Sequence, residues 1–502
     1  MEFLDPQKRK AHLIRLFIGY ILVGTALILT TIILLYQAYG FGIRNGEVIQ
    51  NGLIFVSSNP RPADIYVNGK KNDKTTNTRL LLQAGQYTFR LEREGYRTWR
   101  RSITIEGGSV ARFDYPFLFP AKLETAIVKQ YKVKPLVATQ SLNKDWLMVQ
   151  DSAAAFNEFD LFDLSDIKKP VTTAALPVGL FAYTTGTHIW EEVEWASDNR
   201  HVLLRHTTSD AAGASEYILA DREKPEESIN VTRVLAAGQS KIELLDRKYD
   251  KFVVFDQQAK TVSTATLEQP TAKPLLTDIL AFKSYGDDVF LYVTDKDVEA
   301  GKVAVGLREG SRTYNIRQVA VADKYMIDLT KYDTAWYVVA GSPAENKTYV
   351  YRDPAHMLRS KPKNPLVPVQ VLKAPAAQYV AFSDNSRFVV AQGGQQFAVY
   401  DAETDKGYTY STKVSMDAAQ QHVTWMDGHR LMFVGSGKTY VFEFDYANRE
   451  TLAAADAAYV PLFDNKYVNM YSIAAQSVKA ADGTETAGYA FTRTALRTKA
   501  DQ

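Results

Sequence analysis

The 502-residue chain has no cysteine, which excludes disulfides, thiolate metal sites and cysteine nucleophiles. An exported protein can do without disulfides, so this absence does not place the chain in the cytosol. Histidine is scarce. His188, His201, His206, His356, His422 and His429 lie scattered, without the H-x-x-x-H or H-E-x-x-H spacing of a zinc site. His201 and His206, five apart in one strand, face opposite sides. Excess charge of either sign is also missing. With 59 Lys and Arg against 57 Asp and Glu the net charge is +2, so no broad field recruits nucleic acid. No G-x-S-x-G elbow occurs, which removes the commonest hydrolase nucleophile turn. These absences leave no catalytic, cofactor-binding or metal-binding residue to assign.

What the chain does have is one long apolar run, Leu16 to Tyr36, with no charged residue and no proline. As a helix it spans roughly 31 Å, the thickness of a bilayer's hydrocarbon core. Thirteen of its residues are Leu, Ile, Val or Phe, which together favour insertion by about 4–8 kcal/mol. Lys8, Arg9, Lys10 and Arg15 precede the run and only Arg44 follows it closely. The positive-inside bias then puts residues 1–15 in the cytoplasm, 16–36 in the lipid bilayer and the rest of the chain outside. The competing reading is a signal peptide cleaved after Gly40, because Ala38 and Gly40 have the small-residue spacing a peptidase needs. The run is, however, longer than the roughly 7–15 residues of a signal core.

After a tether over residues 37–50, residues 51–120 alternate apolar and polar positions between turn residues, the pattern of half-buried strands. Leu53–Ser57, Ile65–Val67, the Tyr87-Phe89-Leu91 stretch, Ser102–Ile105 and Arg112–Phe117 are the expected strands. Asn68-Gly69 is a tight hairpin turn, since both residues tolerate positive φ. Ser58, Pro60, Ala63, Ile65, Tyr66, Val67, Asn68 and Gly69, followed by Gly85, Tyr87, Gly95 and Tyr96, resemble the PEGA domain, a small β-sandwich module of bacterial and archaeal surface proteins. The resemblance implies that fold and carries no chemistry. The chain departs from the family pattern at Pro60-Arg61-Pro62-Ala63 and at Asp73-Lys74-Thr75-Thr76. Arg90, Arg93, Arg97, Arg100 and Arg101 offer a basic face for anionic wall or lipid groups, against the simpler reading of a solvated strand face.

From residue 121 one pattern recurs: alternating apolar residues, a turn with Asp and Asn or Gly, then a second apolar strand. Val193–Arg205, Val380–Ala391 and Val423–Val434 superimpose almost residue for residue. Asp145, Asp198, Asp250, Asp287, Asp333, Asp384, Asp427 and Asp464 mark eight copies. Their mean spacing falls near the roughly 40–50 residues of a propeller blade. A lone meander cannot bury both its faces, so radial stacking is the expected solution. Trp195, Phe282, Phe382, Trp425 and Phe463 suit packing between blades. The V-x-W/F-S-x-D-N pattern is similar to blades of TolB-like and dipeptidyl-peptidase propellers, a resemblance that implies fold without activity. The Pro- and Lys-bearing stretch Asp353–Pro375 reads as a surface loop between blades. A stacked pair of sandwiches is the alternative architecture.

Three further motifs imitate chemistry. Gly435-Ser436-Gly437-Lys438-Thr439 copies the end of a phosphate loop, but Met432 stands where its first glycine belongs and a strand follows. Asp401, Glu403 and Asp405 alternate as in a calcium loop, without the closing Glu. Asn230-Val231-Thr232 and Asn346-Lys347-Thr348 are glycosylation sequons. The fold class expected is therefore mainly β: one N-terminal transmembrane helix, a small PEGA-like β-sandwich, a seven- or eight-bladed β-propeller over 121–495 and a tail over 496–502. The expected role is non-catalytic, a cell-envelope scaffold that binds another envelope protein, a peptide or a wall glycan. The alternative is an extracytoplasmic hydrolase or lyase using carboxylates in the propeller channel.

Overall fold

Pro6–Ala38 forms one helix of 33 residues in a computed structural model that describes residues 6–38, 41–44, 47–211, 213–360, 365–418, 421–479 and 485–501. The helix starts ten residues before the apolar run, because Lys8, Arg9, Lys10 and Arg15 are good helix formers. Its segment Arg9–Tyr36 is long and apolar enough to cross a membrane. Apolar side chains such as Phe17 and Leu22 are exposed all round it, the pattern of a helix whose solvent is lipid. Thr25, Thr30 and Thr31 donate their hydroxyls to the carbonyls of Ile21, Ala26 and Leu27, each at 2.8 Å, so these three hydroxyls are satisfied within the helix. Tyr39 and Gly40, where a peptidase would act, lie outside the described residues.

The chain divides into two units, Met1–Lys122 with Arg497–Gln502, and Leu123–Leu496. In the first, Phe41–Arg44, Glu47–Val56 and Thr78–Gln83 pair antiparallel, and Val110–Phe113 lies parallel to Glu47–Val56. Lys70–Thr75, Asp64–Val67, Gly85–Glu92 and Trp99–Ile105 make a second sheet. One core joins them: Ile54, Val56, Leu80 and Phe113 from the first sheet, with Ile65, Phe89, Leu91, Trp99 and Ile105 from the second. Asn68 and Gly69 turn at φ 50° and 82°. Lys70–Thr75 and Thr78–Gln83 escape the sequence pattern. The former, KKNDKT, is an almost wholly exposed edge strand, and charges that protect an edge erase the alternation.

Among the described residues the second unit holds eight four-stranded antiparallel sheets. Seven follow the chain, at 137–175, 188–230, 241–276, 279–320, 326–372, 379–411 and 424–454. The eighth takes three strands from 462–495 and its outer strand, Glu124–Tyr131, from before the first sheet. All eight marker aspartates sit in the turn between the first and second strands of their sheets.

Packing then runs from each sheet to the next. Phe159 packs edge-on against Trp190 between sheets one and two, and Leu219 and Phe252 share one core between two and three. Phe255 packs edge-on against Phe282 between three and four, Val305 and Val338 share one core between four and five, and Val350 and Val389 share another between five and six. Phe388 stacks on Phe444 with 4.3 Å between ring centroids, from six to seven. The Tyr467 hydroxyl donates to the Met426 carbonyl at 3.1 Å, from eight to seven. Leu147 and Phe162 pack with Tyr471 and Phe491, returning from sheet eight to sheet one. This is a propeller-like arrangement.

Asp353–Pro375 is not a loop between sheets. It lies inside sheet five and holds the helix Pro354–Ser360 and the outer strand Gln370–Leu372. Its prolines obscured a Val-x-Val-x-Val alternation that ends on buried Leu372.

Phe491 is 1% exposed at the junction of sheets eight and one, while Ile127 on the added outer strand is 46% exposed. Phe491→Ala is expected to lower stability to urea by about 3–5 kcal/mol, and Ile127→Ala by less than about 1 kcal/mol.

Candidate functional site

The first strand of each sheet faces a common space. A cavity of about 940 Å³ is lined by Gln140, Glu194, Leu244, Lys283, Asp328, Phe382, Trp425 and Phe463, one residue from each of the eight first strands. A second cavity of about 620 Å³ shares Glu194, Glu243, Arg247 and Lys283 with the first. Those four residues form a waist where carboxylates and cations alternate.

Glu194 owes its position to a bulge. The pairing of His188–Trp195 with the next strand shifts register between Glu192 and Glu194, which re-aims side chains as bulges do. Its carboxylate accepts the Leu244 amide at 2.5 Å. Burial pushes the Glu194 carboxyl up to about 7, beyond what that amide and the charges of Arg247 and Lys283 recover. Desolvation at the cavity walls, which both side chains line, likewise raises Glu192 and Asp328. Asp328 accepts the amides of Leu329 at 3.0 Å and Phe382 at 3.1 Å. Asp384 is raised by desolvation at the cavity wall and by Asp427, against the pull of Lys144 and Arg247. Among the described residues neither Arg247 nor Lys283 is held in an ion pair.

Lys144 crosses this space. From the first turn of sheet one its ammonium donates to the Tyr467 hydroxyl of sheet eight at 2.7 Å and lies 3.7 Å from Asp384 of sheet six.

The imitative motifs resolve into structural roles. Ser436 and Gly437 turn a hairpin at φ 51° and 67°, and their amides donate to the Asp417 carboxylate, at 2.7 Å for Gly437. A carboxylate of the same chain thus occupies the small anion-binding nest. Asp401 is 1% exposed and accepts Arg387 Nε at 2.8 Å and Nη2 at 2.7 Å; it also accepts the Glu403 amide and the Thr404 hydroxyl. Its oxygens are committed to an arginine. Asn230 is buried and donates to Glu216 and to the Leu180 carbonyl, which leaves no room for a glycan.

The histidines are less scattered in space than in sequence. His188 Nδ1 and His206 Nε2 are 2.9 Å apart, and His206 Nδ1 lies 2.9 Å from Glu216. His206 is fully buried and Glu216 is 2% exposed. Burial pushes Glu216 up, but His206, the Ala182 amide and Asn230 together outweigh it and hold the carboxylate low. An ionised Glu216 requires a proton on His206 Nδ1, which fixes the tautomer. Sequence reading missed this chain of groups because His188 and His206 are 18 residues apart. Only the register of the hairpin, with Trp190 opposite His206, brings them together. His201 pairs with Asp198 at 2.6 Å and stacks on Tyr249.

Because Glu194 binds its proton more tightly in the fold than in the unfolded chain, stability falls as pH rises from about 4.5 to about 7. Glu194→Gln removes that contribution. Its urea midpoint relative to the parent is expected to rise across this window and level off above it.

Solved structures similar to the chain include a crystal structure of the eukaryotic initiation factor, at 13% identity and a TM-score of 0.36, covering 64% of this chain and 90% of that one. Kluyveromyces lactis Hsv2 is 7% identical with a TM-score of 0.35, covering 72% and 99%. The dihydro-heme d1 dehydrogenase NirN is 11% identical with a TM-score of 0.39, covering 65% and 67%. Likenesses this distant transfer nothing to this chain. No curated protein matches it. Residues 51–118 match the PEGA domain family.

Proposed function

We propose a single-pass membrane-anchored protein of the cell envelope, with its N-terminus in the cytoplasm and both β units outside. The eight-sheet unit is a β-propeller, similar to TolB-like propellers, that acts as a non-catalytic binding and scaffold surface. The basic cluster before the apolar run supports the orientation. The observation that carries the binding role is the waist of the cavity, where Arg247 and Lys283 stand without ion-pair partners beside Glu194 and near Asp328. Unpaired cations suit an anionic group on the ligand, and the Glu194 carboxyl, pushed up to about 7, can donate to a ligand oxygen when it carries its proton. A carboxylate-bearing peptide, wall glycan or segment of another envelope protein has that chemistry.

Two measurements test this. The native chain lacks cysteine, so single labels report topology cleanly. In intact cells an impermeant maleimide is expected to modify Ala153→Cys and to spare Gln7→Cys; the reverse pattern sinks the orientation. Replacing Arg247 and Lys283 together by alanine is expected to weaken calorimetric binding of solubilised wall fragments at least tenfold. Unchanged binding removes the waist as the site.

A second reading, an extracytoplasmic hydrolase or lyase, is favoured by the same raised carboxyls, since Glu194 at about 7 lies in the range of a general acid. Release of wall fragments that falls roughly 100-fold or more in Glu194→Gln would establish it. No release by the parent chain would dismiss it.

A further inference from the structure

The residues after the eighth sheet return to the first unit and occupy a polar site there. Arg93 donates to the Asp501 carboxylate from Nε, at 3.2 Å, and from Nη2. Tyr96 donates its hydroxyl to Asp501 at 2.6 Å, and the same oxygen accepts the Thr498 amide at 3.0 Å. Arg93 is braced by the Pro62 carbonyl. Four residues before Asp501, Arg497 donates to the Asn59 side chain with its guanidinium 5.7 Å from the Phe117 ring centroid. Between these anchors Gly95, at φ +80°, leaves the space a side chain would fill, because a Cβ there would come within 3.0 Å of Thr498 Cγ2.

The hydrophobic core of the first unit includes no residue from 497–501. The segment is held at the rim by ion pairs and hydrogen bonds, in the way a bound peptide is. A forked arginine with a tyrosine hydroxyl on one carboxylate is directional and charge-assisted, and it leaves the Asp501 side chain only 17% exposed.

We propose that this face of the first unit is a peptide-binding site that recognises an arginine and an aspartate four residues apart. Residues 497–501 are its resident ligand, bound within the chain, and a peptide of the same arginine-to-aspartate pattern on a partner displaces them. Tethering keeps the site filled, because the effective concentration of an attached ligand is on the order of millimolar.

The test uses a fluorescein-labelled peptide of residues 495–501 and the detergent-solubilised chain ending at Leu496. Saturable binding is expected, at least tenfold tighter than to the intact chain, and at least tenfold weaker once Arg93→Ala is introduced. Absence of saturable binding, or binding that survives Arg93→Ala, overturns the proposal. Should the shortened chain not fold, Asp501→Asn in the intact chain takes its place. That variant is expected to bind the labelled peptide more tightly than the parent, and equal binding overturns the proposal.

Discussion

The second unit depends on one strand pairing, Glu124–Tyr131 against the last long strand, with Glu124 opposite Ala495 and Tyr131 opposite Tyr489. A four-stranded meander has two apolar faces and needs a neighbour on each. Seven sheets are built from contiguous chain, but the eighth takes its outer strand from before the first. This pairing ties the two ends of the array together, and the cluster of Leu147, Phe162, Tyr471 and Phe491 fills the junction. The common space lined by all eight first strands follows from that arrangement.

The same repeat position yields carboxylates of opposite character. In sheet two, Asp198 accepts the amides of Arg200 and His201. These bonds and the His201 ring overcome the upward push of burial and hold Asp198 low. In sheet six the neighbouring Asn385 accepts the Arg387 amide instead. Asp384 is left to face the cavity, where desolvation by the cavity walls raises it. One residue's difference in who caps the turn separates a structural aspartate from a group able to meet a ligand.

Much of the fold was legible because its signals are local. The membrane-length helix is a matter of composition, and Asn68-Gly69 is a matter of which residues accept positive φ. All eight aspartates fall in first turns, and Asp198, Asp427 and Asp464 show why: each accepts the amides of the residues that follow it, a simple way to reverse a strand. Little of the candidate site could be read in this way. Glu194 looked like one glutamate among three in a strand, and its place at the waist depends on a bulge and on neighbours roughly fifty residues away.

Sequence by itself thus determined the elements that a few adjacent residues specify: the apolar helix, the alternating strands, the turns and the phase of the repeat. Tertiary structure alone decided that the outer strand of the last sheet comes from before the first, that His188 meets His206 and Glu216, and that Asp501 meets Arg93. The physical reason is range. Periodicity records which face of an element is buried, whereas partnership between polar groups depends on register and closure, and these are set by contacts between distant segments.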